Sequence, residues 1–230
     1  MHVGILVTGD PPPALAERFG RYDAMIAALL GAGFTTTAYR VAEGDWPAAP
    51  DAHPAYVITG SSAGVYDDLP WIAPLKQFLR DARGVAKLVG ICFGHQIMAE
   101  AFGGRVEKSD KGWGVGLHRY DMLAERPWMD GTAPIAIAVS HQDQVVAPPP
   151  DAEVLASCEF TPYAMLGWGD EALSMQCHPE FAPGFAAALY DSRRERIPDA
   201  DGAIASLAAP NDETRVAGWI RRFLTEPGTR

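Results

Sequence analysis

The stretch Gly90-Ile91-Cys92-Phe93-Gly94-His95-Gln96 decides how the chain is read. Before it, Val85 to Ile91 reads as a short buried strand, with Val85, Leu88, Val89 and Ile91 apolar. After it, Ile97, Met98, Ala101 and Phe102 recur at helical spacing, so the chain passes from strand to helix at the cysteine. Glycines two residues to either side make the pattern G-x-C-x-G. In a strand-turn-helix elbow, small flanking residues let the backbone close around a strained central residue and present its side chain. The N-terminus of the following helix, with unpaired N–H groups and the positive end of the dipole, also favours a thiolate there. These features mark Cys92 as a nucleophile. Five residues alone fit equally well a cysteine that is a small buried apolar group, so the rest of the chain has to decide.

Upstream, Val3 to Val7 is an apolar run that stops at Thr8-Gly9-Asp10-Pro11-Pro12-Pro13. The prolines lack N–H donors and no G-x-G-x-x-G follows, which excludes a dinucleotide cradle. Leu15, Phe19, Tyr22, Ile26, Leu29 and Leu30 lie on one face of a helix closed by Gly31 and Gly33. Phe34 to Val41 reads as a strand and 43–54, with Pro47, Pro50 and Pro54, as a loop. Tyr56-Val57-Ile58 is a further strand that runs into Thr59-Gly60-Ser61-Ser62-Ala63-Gly64. That segment suits a surface loop. It equally suits a site where Gly60 lets a backbone N–H approach a developing oxyanion. Leu75, Phe78 and Leu79 then outline a helix with Pro70 near its start. Strands alternating with helices up to residue 102 predict βαβ units and a mostly parallel sheet, with ligands at the strands' carboxyl ends. Gly60 and Cys92 both fall there.

From Gly103 onward the elements change. Gly104 to Lys108, Val115 to Met122, Ile135 to Val139, Glu153 to Cys158, Ala164 to Trp168 and Ala172 to Cys177 are short strand candidates. Their close spacing predicts antiparallel hairpins added to the parallel sheet. The fold class is therefore α/β, with a mostly parallel central sheet flanked by helices and an added antiparallel β region. Phe185 to Tyr190 reads as helix, as does the last stretch, whose Val216, Trp219, Ile220, Phe223 and Leu224 form an apolar face suited to core packing.

A thiol nucleophile needs a base, and the base needs an orienting group. Gln176-Cys177-His178-Pro179-Glu180-Phe181 supplies both. Pro179 disfavours a helix and biases His178 toward extended backbone, where residues two apart face the same way roughly 6.6 Å apart. The Glu180 carboxylate then reaches the His178 ring and fixes its tautomer. An isolated H-P-E is more often a solvated turn. Here it follows a strand and a cysteine elbow, in the order nucleophile, histidine, acid.

With Ile58-Thr59-Gly60-Ser61, the cysteine elbow and Gln176 to Phe181 in this order and at these spacings, the chain resembles the class I (triad-type) glutamine amidotransferases over residues 3–190. The resemblance implies a flavodoxin-like fold, one amidotransferase domain over residues 1–230, and an amidohydrolase that releases ammonia from glutamine through a thioester on Cys92. It implies His178 as general base and acid with Glu180 orienting it. It also implies an oxyanion hole from the Gly60 and Phe93 N–H groups, and Gln96 helping to hold the substrate. Ser140-His141-Gln142-Asp143 is similar to the Ser-His-Gly-Asp segment of GMP synthase amidotransferase domains, with Gln142 where glycine would stand, so Ser140, His141 and Gln142 are substrate-binding candidates. No Ser-Gly-Gly ATP-pyrophosphatase loop is present, so ammonia goes either to a separate synthetase subunit or to no acceptor. Thr59-Gly60-Ser61-Ser62 followed by 67–72 is similar to the stand-alone γ-glutamyl peptidases, which makes γ-glutamyl peptides the alternative substrate. A third reading, a regulatory module without chemistry, is disfavoured by the intact Cys92, His178 and Glu180.

Composition narrows the partners. Nineteen Lys and Arg against 29 Asp and Glu leave a net charge of −10, without a basic run, which argues against nucleic acid or an anionic membrane surface. No apolar stretch approaches the roughly 18 residues of a membrane span, and Met1 to Ile5 reads as a strand rather than a signal peptide. Three cysteines point away from a disulfide framework and toward a reducing, cytoplasmic setting. Cys92, His95, Cys177 and His178 lack the paired short spacings of a zinc site, so no metal or cofactor is expected.

Overall fold

A computed structural model describes residues 1–226. The first hundred residues alternate strand and helix: β1 (His2–Leu6), α1 (Pro13–Phe19), α2 (Tyr22–Leu30), β2 (Thr35–Tyr39), β3 (Ala55–Ile58), α3 (Ile72–Ala82), β4 (Lys87–Ile91) and α4 (Phe93–Ala101). Then come β5 (Arg105–Lys108), β6 (Gly114–Met122), β7 (Ile135–His141), β8 (Asp143–Ala147), β9 (Glu153–Ser157), β10 (Met165–Trp168) and β11 (Ala172–Met175), followed by α5 (Pro183–Ser192), α6 (Ala200–Ser206) and α7 (Glu213–Thr225). Nine strands form one sheet in the order β2-β1-β3-β4-β11-β10-β9-β6-β7, and β5 pairs with β8 in a separate ribbon. Pairing from β2 through β11 is parallel, and from β11 onward antiparallel. The added antiparallel strands thus extend the parallel sheet rather than standing apart from it.

Both faces of the inner parallel strands are covered, which is why β1, β3 and β4 read as apolar runs, whereas the edge strand β2 is threonine-rich and half-exposed. Successive residues point to opposite sides. Val3, Ile5, Val57, Val89, Ile91 and Leu173 join the core beneath α2 and α7. Leu6, Tyr56, Ile58 and Leu88 join the core beneath α3 and α4. Trp219, Ile220 and Phe223 of α7 are buried in the first core, each contributing roughly 2–3 kcal/mol of transfer free energy. The apolar face of the last helix is therefore spent inside the protein. Among the described residues, no helix is long and apolar enough to cross a membrane.

Several boundaries differ from the sequence reading. The single helix expected over Leu15 to Leu30 is two, because Gly20 takes φ 89° and ends α1 with its N–H on the Ala16 carbonyl. Helix α3 starts after Pro70, at Ile72, with Pro74 within its first turn. Strand β8 and helix α6 were not anticipated: β7 runs on through His141 and β8 starts at Asp143, so only Gln142 separates them. Cys158 and Cys177 lie just beyond the ends of β9 and β11 rather than within strands.

The elbow glycines have a packing reason. A methyl group at Gly94 would lie 2.4 Å from the Ile58 carbonyl oxygen, and one at Gly90 would lie 2.5 Å from the Gly94 carbonyl oxygen. Helix α4 is seated directly on β3 and β4, with no room for a Cβ between them. Gly94→Ala is expected to lower the unfolding free energy by about 1–3 kcal/mol, read as a shifted urea midpoint at unchanged slope.

Candidate active site

Strand β11 inserts beside β4, so the carboxyl ends of β3, β4 and β11 lie next to one another. The chain leaves β3 into Thr59-Gly60, β4 into Cys92 and β11 into Gln176 to Glu180. That strand order brings together segments far apart in sequence. A methyl group at Gly60 would sit 3.3 Å from His178 Cε1 and 3.8 Å from Cys92 Cβ.

Cys92 is the only non-glycine among the described residues with a positive φ (φ 53°, ψ −101°). Such a conformation costs on the order of 1–3 kcal/mol and persists because the surroundings impose it. Its N–H donates to the Met175 carbonyl at 2.8 Å, and its carbonyl accepts from the Gln96 N–H at 3.1 Å. Helix α4 behind it is buried almost all round, and His95 ties it to β11 through Ser174 Oγ at 2.8 Å. Burial pushes the His95 imidazole down to about 3, so it is a neutral strut.

His178 Nδ1 lies 2.7 Å from Glu180 Oε1, and the ring lines one small recess together with Cys92. The ring is clamped flat on Phe181, with centroids 3.9 Å apart and planes 8° off parallel. Its backbone N–H is held by the Ala138 carbonyl at 2.9 Å. Burial lowers the affinity of this imidazole for a proton, but Glu180 and Cys92 outweigh it and raise His178 to about 10. The contact with Glu180 arises differently from the extended backbone expected. Pro179 and Glu180 form a turn in which the Phe181 N–H donates to the His178 carbonyl at 3.2 Å, and the turn brings the carboxylate back to the ring.

Phe93 is the first residue of α4, so its N–H has no acceptor within the helix. The Thr59 carbonyl, in the peptide that carries the Gly60 N–H, accepts from the Thr8 hydroxyl at 3.0 Å, which fixes the tilt of that peptide. A cavity of about 310 Å³ opens at the sulfur, with Ser61, Gln96, Ser140, His141, Gln142 and Arg193 on its walls. Gln96 Nε2 donates inward, to the Asp143 carbonyl at 2.9 Å and to Gln176 Oε1 at 3.1 Å. His141 Nδ1 is 3.1 Å from the Asp143 carbonyl oxygen, and burial drives its pKa to about 3. The structure therefore gathers Cys92, His178, Glu180, Gly60, Phe93, Gln96, Ser140, His141 and Gln142 around one centre. Phe93 contributes backbone there, its side chain packing against Trp71.

Two side chains at the site escaped the sequence reading. Arg193, at the end of α5, donates to Ser140 Oγ at 2.8 Å and faces both the main cavity and a recess of about 20 Å³ beside Cys92 and His178. Gln176 lies 3.6 Å from the Cys92 sulfur through its Nε2. Arg193 carries no local motif, while Gln176 stands two residues before His178 and its amide direction depends on distant contacts.

The class-I glutamine amidotransferase profile matches residues 52–190, more than half the chain, and the chain belongs to that family. A glutamine amidotransferase-like protein of Schizosaccharomyces pombe is 32% identical over 197 residues, covering 79% of each chain. Gamma-glutamyl peptidase 4 of Arabidopsis thaliana is 30% identical over 77% of this chain and 75% of that protein. A GMP synthase of Thermus thermophilus is 35% identical over 56% of this chain, which is 25% of that longer enzyme. The crystal structure of a glutamine amidotransferase from Thermotoga maritima superposes with a TM-score of 0.77, covering 97% of both chains at 16% identity. That last likeness speaks to the fold.

Proposed function

We propose that the chain hydrolyses the side-chain amide of glutamine to glutamate and ammonia through a thioester on Cys92. The reading rests on one observation above all: Glu180 is hydrogen-bonded to His178, and His178 shares one recess with Cys92 at the strained end of β4. The raised proton affinity of His178, with Glu180 beside it, equips the ring to take the proton of Cys92 as the sulfur attacks. The sulfur attacks the amide carbon, and the oxyanion is held by the N–H groups of Gly60 and Phe93. On collapse the C–N bond breaks, and His178 gives its proton to the departing nitrogen, which leaves as ammonia. Water then gives a proton to His178 and attacks the thioester, releasing glutamate and restoring the sulfur. Glu180 holds the ring through both transfers. Gln96, Ser140, His141 and Gln142 belong to the wall that holds the glutamyl part.

The reading places the chain as one amidotransferase unit in a cytoplasmic setting, with a synthetase subunit as the acceptor of ammonia. A second substrate class is supported by a specific pair of observations. The gamma-glutamyl peptidases align over about three quarters of both chains, and the cavity continues past Cys92 to Arg193 and Arg196, leaving room for a leaving group larger than ammonia. Profiling kcat/KM for glutamine against γ-glutamyl dipeptides separates the two. Glutamine is expected to be preferred. A dipeptide preference above about tenfold, equivalent to roughly 1.4 kcal/mol in the transition state, would assign the chain to peptides instead.

A further inference from the structure

Beyond the triad, the Cys92 sulfur has a neighbour that the proposed chemistry has left idle. Gln176 is fully buried immediately after β11, and its Nε2 lies 3.6 Å from Sγ. The direction of an amide in a protein interior has to be worked out from its partners, and here they determine it. The Asp143 carbonyl can only accept, so the Gln96 group 2.9 Å from it must be the amide nitrogen. The same nitrogen has its second hydrogen for the Gln176 atom 3.1 Å away, which must therefore be the Gln176 oxygen. The Gln176 NH2 is then forced toward the sulfur. A flipped Gln176 would set two donors against each other at Gln96 and turn a carbonyl on a forming thiolate. The other polar contact of the sulfur, the Ser140 carbonyl at 4.0 Å, can accept from an S–H but offers nothing to a thiolate.

We infer that Gln176 is a further catalytic residue, a hydrogen-bond donor to the Cys92 thiolate, and that Gln96 is the positioning residue that locks its amide in the donating direction. The relay runs from the Asp143 carbonyl through both glutamines and ends on the sulfur. A donor at an ionised atom makes a stronger bond than at a neutral one. The thiolate is thereby held by a donor other than His178 while the ring is free to follow the leaving nitrogen. Through its amide nitrogen Gln96 thus acts on the sulfur in addition to lining the cavity.

This inference rests on the proposed nucleophile, and its test reads the sulfur directly. The rate of Cys92 alkylation by iodoacetamide is followed against pH in the intact protein, by peptide mass spectrometry, for wild type, Gln176→Met and Gln96→Met. Methionine keeps length and burial but removes the donor. In Gln176→Met the midpoint is expected to rise by about one unit, slowing alkylation roughly tenfold below the wild-type midpoint, as follows from losing a hydrogen bond to a charged group. Gln96→Met is expected to move it the same way by less, because an unlocked Gln176 amide donates part of the time. Should Gln176→Met fail to fold by circular dichroism, Gln96→Met alone decides. An unmoved midpoint in a folded variant overturns the inference. Wild-type turnover of glutamine and γ-glutamyl dipeptides is measured in parallel: its absence would defeat the hydrolase reading, whereas turnover with an unmoved midpoint would defeat only the role of Gln176.

Discussion

Cys92→Ala is expected to lower amide hydrolysis by roughly 10⁴-fold or more, since removing the atom that forms the covalent bond leaves only the oxyanion site and binding to accelerate attack by water. Substrate binding should survive, because the cavity walls from Ser61, Ser140 and Gln142 are untouched. The fold should survive as well: Cys92 is held by its backbone, through the Met175 carbonyl and the Gln96 N–H, rather than by its side chain. A Cys92→Gly variant is the informative companion. Glycine accepts φ 53° without the cost a side chain incurs there, so Cys92→Gly should be more stable than Cys92→Ala by up to about 1–2 kcal/mol, offset in part by the greater freedom of the unfolded chain. Single-turnover assays and urea unfolding measure the two effects. Retained turnover in Cys92→Ala would remove the nucleophile assignment.

Glu180→Gln is expected to reduce kcat by about 10²–10⁴-fold with little change in KM, because an amide keeps the shape but cannot stabilise the imidazolium or enforce its tautomer. The same change has a pH signature. His178 is raised from its ordinary 6.5 to about 10 in the folded protein. A raised folded pKa adds stability that is complete below the unfolded value and disappears as pH rises through the folded one. The stability gap between wild type and Glu180→Gln should therefore be widest near pH 6 and shrink toward pH 10. Urea unfolding at the two ends reads it directly. A gap that widens with pH would mean that the ring and carboxylate are not paired as the 2.7 Å contact indicates.

Much of this architecture could be read from residues alone, for a physical reason. Parallel strands buried on both faces show as apolar runs, and Val3 to Val7, Tyr56 to Ile58 and Leu88 to Ile91 are such runs. The elbow was legible because the glycine pair around Cys92 falls where an apolar strand run passes into a helical period, and the structure shows that Gly90 and Gly94 serve close helix–strand packing as much as the turn. What escaped was non-local. Gly20 breaks α1 from α2 by taking a left-handed φ that an apolar helical period does not reveal. Strand β11 lies beside β4 only because the chain returns to the sheet after its antiparallel excursion, and no local pattern encodes that neighbour. Glu180 was matched to His178 correctly but through the wrong backbone, a turn rather than an extended segment. Arg193 and the Gln96–Gln176 pair have meaning only through partners across the fold.

The covalent role of Cys92 is tested most directly with an electrophilic glutamine analogue and peptide mass spectrometry. One equivalent of label is expected on Cys92 and none on Cys158 or Cys177; burial pushes the Cys177 thiol well above the ordinary range. Excess glutamine or γ-glutamyl peptide should protect Cys92, whichever of the two is the better substrate. Label found on Cys158 or Cys177 with Cys92 untouched, in protein that turns over substrate, would contradict the thioester route.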